Sequence, residues 1–238
     1  MVMQTTDRNS QWKNVWERKG QTAAQHLHHM NGYDLLSADQ WDELVRTVAR
    51  PFGLQAGDEV IECGCGAGAF LASLIRLYPG IRLSGIDYSA SLVRAASEAL
   101  DGRFEQGDIR DLSFLPAAAY DCVLSFSAFQ YLSSSEDAER AVREMARLVK
   151  PGGSMAIGDV SDLAKKQEAL EIRKHSHRNQ PKLSSDDLDH LYLPKGLFER
   201  LASELQLNVT IIDQATLNMP SYEAARYRFT AYFKGNQA

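Results

Sequence analysis

Short apolar runs alternate with longer amphipathic stretches over residues 58–160 of the chain. The runs at 59–62, 81–86, around Phe104, at 120–125 and at 154–160 each have the length and apolar content of a strand. Between them, apolar residues recur at helical spacing, and glycine or proline closes most of these stretches. Strands that alternate with helices are typical of a parallel sheet with crossover connections. The pattern therefore predicts an α/β fold with a buried sheet.

Three serines carry signals for the start of a helix. Ser37 with Gln40 has the spacing of a capping box, in which two side chains satisfy the free amides of a first helical turn. Ser133 with Glu136 repeats this spacing after the fourth predicted strand. Ser89 has the residue type of a helix cap directly after the second. We expect helices to begin next to these serines.

The segments on either side of this alternation differ from it in composition. Residues 1–50 contain all three tryptophans and one amphipathic helix, whose apolar face is Trp41, Leu44, Val45 and Val48. Residues 161–193 are polar and highly charged, whereas a helix from Pro194 and strands at 207–213 and 226–234 are predicted beyond them. We expect a single domain, 1–238, with an N-terminal helical cap (1–50), a core (51–160), a lid insertion after strand five (161–193) and a C-terminal helix and strands (194–238). Its sheet would be doubly wound, mostly parallel and seven-stranded.

The composition disfavours several classes of protein. Lys and Arg number 26 against 31 Asp and Glu, a net charge of −5, whereas a surface that follows nucleic-acid phosphates is normally basic. We therefore expect no DNA partner. Three cysteines are too few for a disulfide framework, and no apolar run reaches the roughly 20 residues that span a bilayer. Residues 1–10 lack a signal-peptide pattern, so the expectation is a cytoplasmic protein with no membrane partner.

Residues 60–70, VIECGCGAGAF, carry the most informative motif. A predicted strand runs into Gly64, Gly66 and Gly68, and a helix follows, so a ligand can approach the backbone closely at a helix start. This arrangement predicts a nucleotide-binding site. Gly64, Gly66 and Ala69 also satisfy the pattern of dinucleotide-dependent oxidoreductases, with Asp87 about 20 residues further on. The loop alone leaves both alternatives open.

The wider context resembles the class I S-adenosylmethionine-dependent methyltransferases, over roughly residues 54–160 and the C-terminal helix and strands. The family's acidic-GxGxG loop appears as Glu62 followed by the three glycines, and its acidic residue after strand two as Asp87 in GIDYS. Its aspartate after strand three appears as Asp108 in QGDIRDL, and YDCVLSFSAFQYL and LVKPGG match as well. The resemblance implies a Rossmann-like methyltransferase fold that binds S-adenosyl-L-methionine and releases S-adenosyl-L-homocysteine.

The resemblance also implies a role for each matching residue. Glu62 would lie near the methionine ammonium, and Asp87 would accept from both ribose hydroxyls, since a carboxylate offers two acceptor oxygens to a diol. Tyr88 would pack against adenine, whose recognition Asp108 and the Ile109 backbone would complete. Asp87 and Asp108 can alternatively be plain helix caps. The expected cofactor-binding set is Glu62, Gly64, Cys65, Gly66, Gly68, Asp87, Tyr88, Asp108, Ile109 and Ser125.

Histidines are the candidates for a general base. His28 and His29 lie in the N-terminal cap and His175 in the lid insertion, and both segments would face a ligand at the carboxyl ends of the strands. Each has the alternative role of a hydrogen-bonded structural residue. Cys63 and Cys65 beside the glycine loop are typical of small packing residues, so no metal is predicted. We predict His28 and His29 as catalytic, and Tyr33, Phe126, Gln130 and His175 as the substrate pocket.

These patterns favour a methyltransferase that acts on an oxygen, nitrogen or carbon nucleophile of a small-molecule acceptor by in-line displacement. The segment SFSAFQ lacks the (D/N)PP(Y/F) motif that, in the resembling families, marks many enzymes acting on adenine or glutamine. The cap and lid supply about eighty residues, enough to enclose a metabolite. A tRNA or protein substrate is an alternative that the acidic balance disfavours, although Lys165, Lys166, Arg173, Lys174 and Arg178 cluster in the lid. An NAD-dependent oxidoreductase and a non-catalytic methyltransferase-like partner protein are the remaining alternatives, and the oligomeric state stays open.

Overall fold

The computed structural model describes residues 8–21, 26–176, 189–217 and 221–235. Within these ranges the strands are β1 (Glu59–Cys63), β2 (Arg82–Asp87), β3 (Arg103–Gln106), β4 (Tyr120–Phe126), β5 (Val149–Ser161), β6 (Leu207–Asp213) and β7 (Arg228–Gly235). They form a seven-stranded sheet in the order β3-β2-β1-β4-β5-β7-β6. The first five are parallel, and β7 is antiparallel to both of its neighbours. The predicted mostly parallel, seven-stranded sheet is confirmed.

Helices cover both faces of this sheet. They are α1 (Arg8–Gly20), α2 (Leu27–Met30), α3 (Ala38–Ala49), α4 (Ala69–Leu77), α5 (Ala90–Ala99), α6 (Ser135–Leu148), α7 (Lys166–Ser176) and α8 (Lys195–Glu204). Shorter 3-10 turns occupy Arg50–Phe52, Phe129–Tyr131, Leu163–Lys165, Gln214–Leu217 and Glu223–Tyr227. Ile61 and Val123 belong to a core shared with α6 and α8, whereas Val60 and Leu124 belong to a core shared with α3 and α4. Because alternate strand positions face opposite sides, the sheet is doubly wound, as predicted.

The predicted helix starts are right at two serines and wrong at the third. Ser37 and Gln40 form the expected capping box at α3, and the Ser89 hydroxyl accepts from the Leu92 amide at α5. At α6 the cap is Ser134, not Ser133. Ser134 has the extended backbone of a cap and accepts from the amide three residues later. The helix therefore starts one residue later than the capping pattern indicated.

Two strands begin two or more residues away from the predicted position, whereas the other strand boundaries differ by one residue at most. β5 begins at Val149 rather than at residue 154, because the KPGG segment ends α6 but continues in an extended conformation, with Val149 opposite Tyr120 on β4. β7 begins at Arg228 rather than at residue 226, because Glu223–Tyr227 forms a 3-10 turn. β6 spans Leu207–Asp213, as predicted.

The N-terminal helices are fastened to the carboxyl edge of the sheet. In α1, the Glu17 carboxylate accepts from the Ser89 hydroxyl at 2.8 Å, and its backbone oxygen accepts from the Ser91 hydroxyl at 2.7 Å. These bonds hold α1 against the start of α5. In α3, the indole of Trp41 donates to the backbone oxygen of Ala69 at 3.2 Å. The cap therefore contacts the first residues of both helices that follow β1 and β2.

The described part of the predicted lid insertion comprises the end of β5, the helix α7 and residues 189–193. Ala169 on α7 forms a small buried cluster with Tyr192 and Tyr227, so α7 packs on the 3-10 turn before β7. Residues 177–188 lie outside the described residues, and the lid remains a prediction. Across the described ranges, none of the helices combines the length and apolar character needed to cross a membrane.

Candidate active site

A cavity of about 790 Å³, counting its open mouth, lies at the carboxyl ends of β1, β2 and β4. Open parallel sheets bind their ligands at this edge. The glycine loop (residues 64–68), the loop after β3, the turn after β4 and the N-terminal cap form its walls. The lining residues are Trp16, Asn31, Tyr33, Trp41, Glu62, Gly64, Gly66, Phe70, Asp87, Tyr88, Leu92, Gly107, Asp108, Ile109, Arg110, Phe126, Ser127, Ala128, Tyr131 and Leu132.

Most of the expected cofactor-binding residues meet in this cavity. Those on its wall are Glu62, Gly64, Gly66, Asp87, Tyr88, Asp108 and Ile109. The other three lie behind the wall. Cys65 is fully buried against β2, and Ser125 is buried at the end of β4. Gly68 faces α5, where an added Cβ would lie 2.8 Å from the side chain of Leu100. These three residues are placed to support the loop rather than to touch a ligand.

Every amide of the glycine loop already has an acceptor within the protein. The amides of Gly64 and Cys65 both donate to the Ile86 oxygen, and that of Gly68 donates to the Cys65 oxygen. The amide of Gly66 donates to the Asp87 carboxylate at 2.8 Å. The amide of Ala67 donates to the Asn31 side chain at 2.8 Å. A loop that binds a pyrophosphate needs amides free to point at it. This loop therefore leaves room for a ligand, but none of its amides is free to bind an anion.

Two buried carboxylates stand beside the loop. Burial and the neighbouring Asp87 charge raise the pKa of Glu62 well above its usual range. The Oε2 atom of Glu62 is buried and has no hydrogen-bond partner among the described residues. Burial raises the pKa of Asp87 to about 6, against the opposing effect of amides from Ser89 and Gly66. A positively charged or hydrogen-bond-donating ligand would relieve the desolvation of both groups.

Asp108 is paired with a residue that the sequence analysis did not single out. The Arg110 guanidinium donates to both Asp108 oxygens and, at 2.9 Å, to Asp137 at the start of α6. Burial alone would raise the pKa of Asp108, but the hydrogen bonds and charge of Arg110 lower it on balance. Asp108 is therefore an anchored carboxylate on the cavity wall, with lone pairs left for a ligand amino group.

The two predicted catalytic histidines do not line this cavity. The Nε2 atom of His28 lies 2.9 Å from the Leu36 oxygen, and the ring faces a second cavity of about 560 Å³ on the far side of Trp41. Burial lowers the pKa of His28. His29 packs against the rings of His26 and His28. Within the described ranges, no group of three or more His, Cys, Asp or Glu side chains is placed to hold a metal ion.

The predicted substrate-pocket residues fall into three positions. Tyr33 and Phe126 lie on the cavity wall with their rings stacked on each other. Gln130 is buried outside the wall and donates to the Ser127 hydroxyl at 2.8 Å. His175 is on α7, but its side chain lies outside what the structure describes. The structure thus brings two of the four together.

A buried charged cluster lies behind Tyr33. Asp159 on β5 is fully buried, and its carboxylate accepts from the hydroxyl of Tyr33 at 2.9 Å, from the hydroxyl of Tyr222 and from Arg228 on β7. Burial and the Asp159 charge raise the pKa of Tyr33 well above its usual range. Tyr33 therefore stays protonated at neutral pH, and its proton points toward Asp159. The Ser127 side chain also forms a hydrogen bond with the Tyr33 oxygen, which leaves one lone pair for a ligand.

Four residues of this region were not predicted from the sequence. Asp159 did leave a signal, since it is the single charge inside the predicted strand 154–160, whereas Arg228 is one of three basic residues in the predicted strand 226–234 and did not stand out. Arg110 follows Asp108 by two residues, a spacing at which a long side chain folds back on its neighbour. Asn31 left no signal, because its contacts lie 34 and 36 residues along the chain.

Similarities to known proteins agree with this geometry. The model of the methyltransferase domain family matches residues 60–153. Trans-aconitate 2-methyltransferase of Azoarcus sp. (strain BH72) is 31% identical over 121 residues, which cover 50% of this chain and 46% of that protein. Erythromycin 3''-O-methyltransferase of Saccharopolyspora erythraea is 30% identical over 149 residues, 60% of this chain and 45% of that protein. The chain thus spans about half the length of these curated relatives.

A solved structure extends the similarity over nearly the whole chain. Geranyl diphosphate C-methyltransferase from Streptomyces coelicolor A3(2), in complex with Mg²⁺, geranyl diphosphate and S-adenosyl-L-homocysteine, superposes with a TM-score of 0.66. The superposition covers 97% of this chain and 98% of that chain at 14% identity, so the likeness is one of fold. The family match includes the glycine loop and the strands beside it, so residues 60–153 form a methyltransferase domain of the class I S-adenosylmethionine-dependent type, and the fold of such methyltransferases extends over nearly the whole chain.

Proposed function

We propose that this chain binds S-adenosyl-L-methionine in the main cavity and transfers its methyl group to an oxygen, nitrogen or carbon nucleophile of a small molecule. The observation that carries the proposal is the pair of buried carboxylates, Glu62 and Asp87, beside a glycine loop whose own amides are already bonded. Such a site favours a ligand that is cationic and rich in hydroxyl donors over one that carries phosphates.

Each chemical group of this cofactor has a residue in the cavity that fits it. The partnerless Oε2 atom of Glu62 is matched by the ammonium of a methionine moiety, which would satisfy a buried acceptor that the protein leaves open. Each oxygen of Asp87 accepts one backbone amide and keeps a lone pair, so the carboxylate can accept from both hydroxyls of a ribose. Asp108 and the Ile109 backbone would then meet the adenine edge, and Tyr88 its face.

The dinucleotide alternative fits less well. A pyrophosphate would meet two buried carboxylates and a loop without free amides, so both the charge and the hydrogen-bond donors oppose it. The RNA alternative rests on the basic run in the predicted lid. Within the described part of that run, Lys165 donates to the Arg226 backbone and Lys166 lies over the ring of Tyr192. These contacts are typical of a structural surface rather than a phosphate track.

The sulfonium of S-adenosyl-L-methionine supplies a methyl group that is already activated for displacement. The protein therefore has to position the nucleophile and exclude water. Aromatic rings of Trp16, Trp41 and Phe126 form the part of the wall that would exclude water. Tyr33 donates its own proton to Asp159, so its oxygen can accept a hydrogen bond from the acceptor molecule and orient the nucleophile toward the methyl group. A carboxylate nucleophile attacks without losing a proton, whereas a hydroxyl or amine nucleophile releases its proton to solvent at the mouth of the cavity. His28 and His29 have no role in this mechanism, because neither residue lines the cavity.

Isothermal titration calorimetry with S-adenosyl-L-homocysteine and with NADH tests the proposal. We expect micromolar binding of the homocysteine product, about −8 kcal/mol, and no measurable binding of NADH. Binding would also argue against a degenerate, non-catalytic module, which has no need of the ligand. A mixture of small hydroxylated, amino and carbon acceptors with radiolabelled S-adenosyl-L-methionine then tests transfer. Tight binding of NADH, or no binding of either ligand, would refute the proposal.

A further inference from the structure

Asn31 connects the N-terminal cap to both sides of the glycine loop. Its Nδ2 atom donates to the Cys65 oxygen at 3.1 Å, and its Oδ1 atom accepts from the Ala67 amide at 2.8 Å. A carboxamide supplies one donor and one acceptor in a plane, so a single side chain can bind a carbonyl and an amide two residues apart. Aspartate has the same shape but cannot donate to the carbonyl.

The loop has a gap that this side chain fills. Four of the amides at 64–68 find acceptors on β2 or within the loop, whereas Ala67 depends on Asn31. Gly66, between the two contact points, has a φ of +54°, and an added Cβ there would lie 2.6 Å from the Asn31 oxygen. The absence of a side chain at Gly66 thus makes room for Asn31 as well as for a ligand. The two residues fit each other.

The segment that contains Asn31 is held against the rest of the protein by several hydrogen bonds. Asn31 caps the end of α2, where its amide donates to the oxygen of Leu27, and the hydroxyl of Tyr33, two residues later, donates to Asp159 on β5. Trp41, on the following helix, donates to Ala69, the first residue of α4. The cap is therefore fastened at the cofactor loop and at β5, with Asn31 on the cavity wall between them.

We propose that Asn31 is a positioning residue of the cofactor site, which holds the loop in its ligand-binding shape and couples docking of the cap to binding of the cofactor. The inference rests on the proposed function, because the ligand is the proposed cofactor. In a protein whose cap is displaced, the Ala67 amide loses its acceptor and the loop loses its fixed width. The docked cap therefore contributes to the affinity for the cofactor, although most of the proposed contacts with the cofactor come from β1, β2 and the loop after β3.

Calorimetry with S-adenosyl-L-homocysteine on Asn31→Ala and Asn31→Asp tests the inference. Leaving a buried amide or carbonyl unsatisfied should weaken binding by roughly 5- to 100-fold in each variant. Asn14→Ala, which removes an exposed asparagine from α1, is the matched control and should bind like the wild type. Urea unfolding separates the effect from general destabilisation, since the loss of affinity should exceed any loss of stability. Wild-type affinity in both Asn31 variants would overturn the proposal.

A second comparison uses the fit between Asn31 and Gly66. Gly66→Ala alone should weaken binding, because its methyl group strikes the Asn31 side chain. Adding Asn31→Ala to that variant should cost no further affinity, within about twofold, because the contact is already broken. Independent losses that simply multiply would contradict the mutual fit. If the wild type binds no S-adenosyl-L-homocysteine, the proposed function fails, and exchange of the Ala67 amide, measured by NMR in the free protein, still decides whether Asn31 holds the loop.

Discussion

Asp87→Ala removes a carboxylate that the proposed cofactor shares with the glycine loop. In the free protein this side chain accepts from the amides of Gly66 and Ser89, at 2.8 and 2.9 Å. With the cofactor bound it would also accept from two ribose hydroxyls. The substitution therefore acts on the loop and on the ligand, and the two effects have different expected sizes.

The effect on stability is a balance of opposing terms. Burial raises the pKa of Asp87 from 3.8 to about 6, which means that keeping the charged form in the folded protein costs about 3 kcal/mol at neutral pH. Alanine removes this cost but leaves two amides without an acceptor, at about 1–3 kcal/mol each. The net effect therefore lies between about 1 kcal/mol of stabilisation and about 3 kcal/mol of destabilisation. The free energy of ligand binding has no such compensating term. Ribose hydroxyls left without an acceptor should weaken binding by roughly 1–3 kcal/mol, a 5- to 150-fold loss of affinity.

Calorimetry with S-adenosyl-L-homocysteine at pH 7.5, together with urea unfolding, measures both quantities. The matched control is Asp121→Ala, at the amino end of β4, where the carboxylate accepts from the Glu59 amide and from Lys150. That variant should lose stability and keep its affinity. An Asp87→Ala protein that unfolds like the wild type and binds with unchanged affinity would remove Asp87 from the ligand site and refute the reasoning.

Three further outcomes are expected. Because the pKa of Asp87 is raised to about 6, its carboxylate takes up a proton as the pH falls from 7.5 to 5, so affinity for S-adenosyl-L-homocysteine should fall over that range; a flat calorimetric profile would contradict this. Chelators should leave methyl transfer unchanged, because the sulfonium needs no metal activation; loss of activity that a divalent ion restores would show otherwise. Arg228→Met leaves Asp159 buried without its cation and should cost about 3–5 kcal/mol in urea unfolding, against under about 1 kcal/mol for the exposed Arg226→Met, and equal losses would argue against the buried pair.

Local patterns were enough to predict the strands and the glycine loop of the first half of the sheet. The strands at 59–62 and 81–86 have the apolar content that burial on both faces demands, and the glycines between strand and helix are needed wherever a ligand approaches the backbone. Asp87 was predicted to lie at the carboxyl end of its strand, where the sheet topology brings it to the Gly66 amide. The local sequence predicts these residues and their strands, and the order of the strands in the sheet brings the residues together.

The cap could not be predicted in the same way. His28 looked like a base because it is a histidine in a segment facing the site, but its ring direction depends on the Leu36 oxygen and on Trp41, neither of which a spacing rule predicts. Asn31 gave no pattern at all, since its partners belong to another element. Contacts between distant elements depend on how the cap docks, and periodicity carries no information about docking.

The position of β7 has a consequence for the order in which the protein assembles. β7 follows β6 in the chain but lies between β5 and β6 in the sheet. The edge strand β6 therefore has no strand to pair with until β7 has paired with β5. Arg228 arrives with that pairing, and until then the Asp159 carboxylate lacks its cation. The strands that bear Glu62 and Asp87 can pair without it. We therefore expect β6 and β7 to open as one unit in native-state hydrogen exchange, leaving the wall on the Tyr33 side unfinished, while β1 and β2 stay protected.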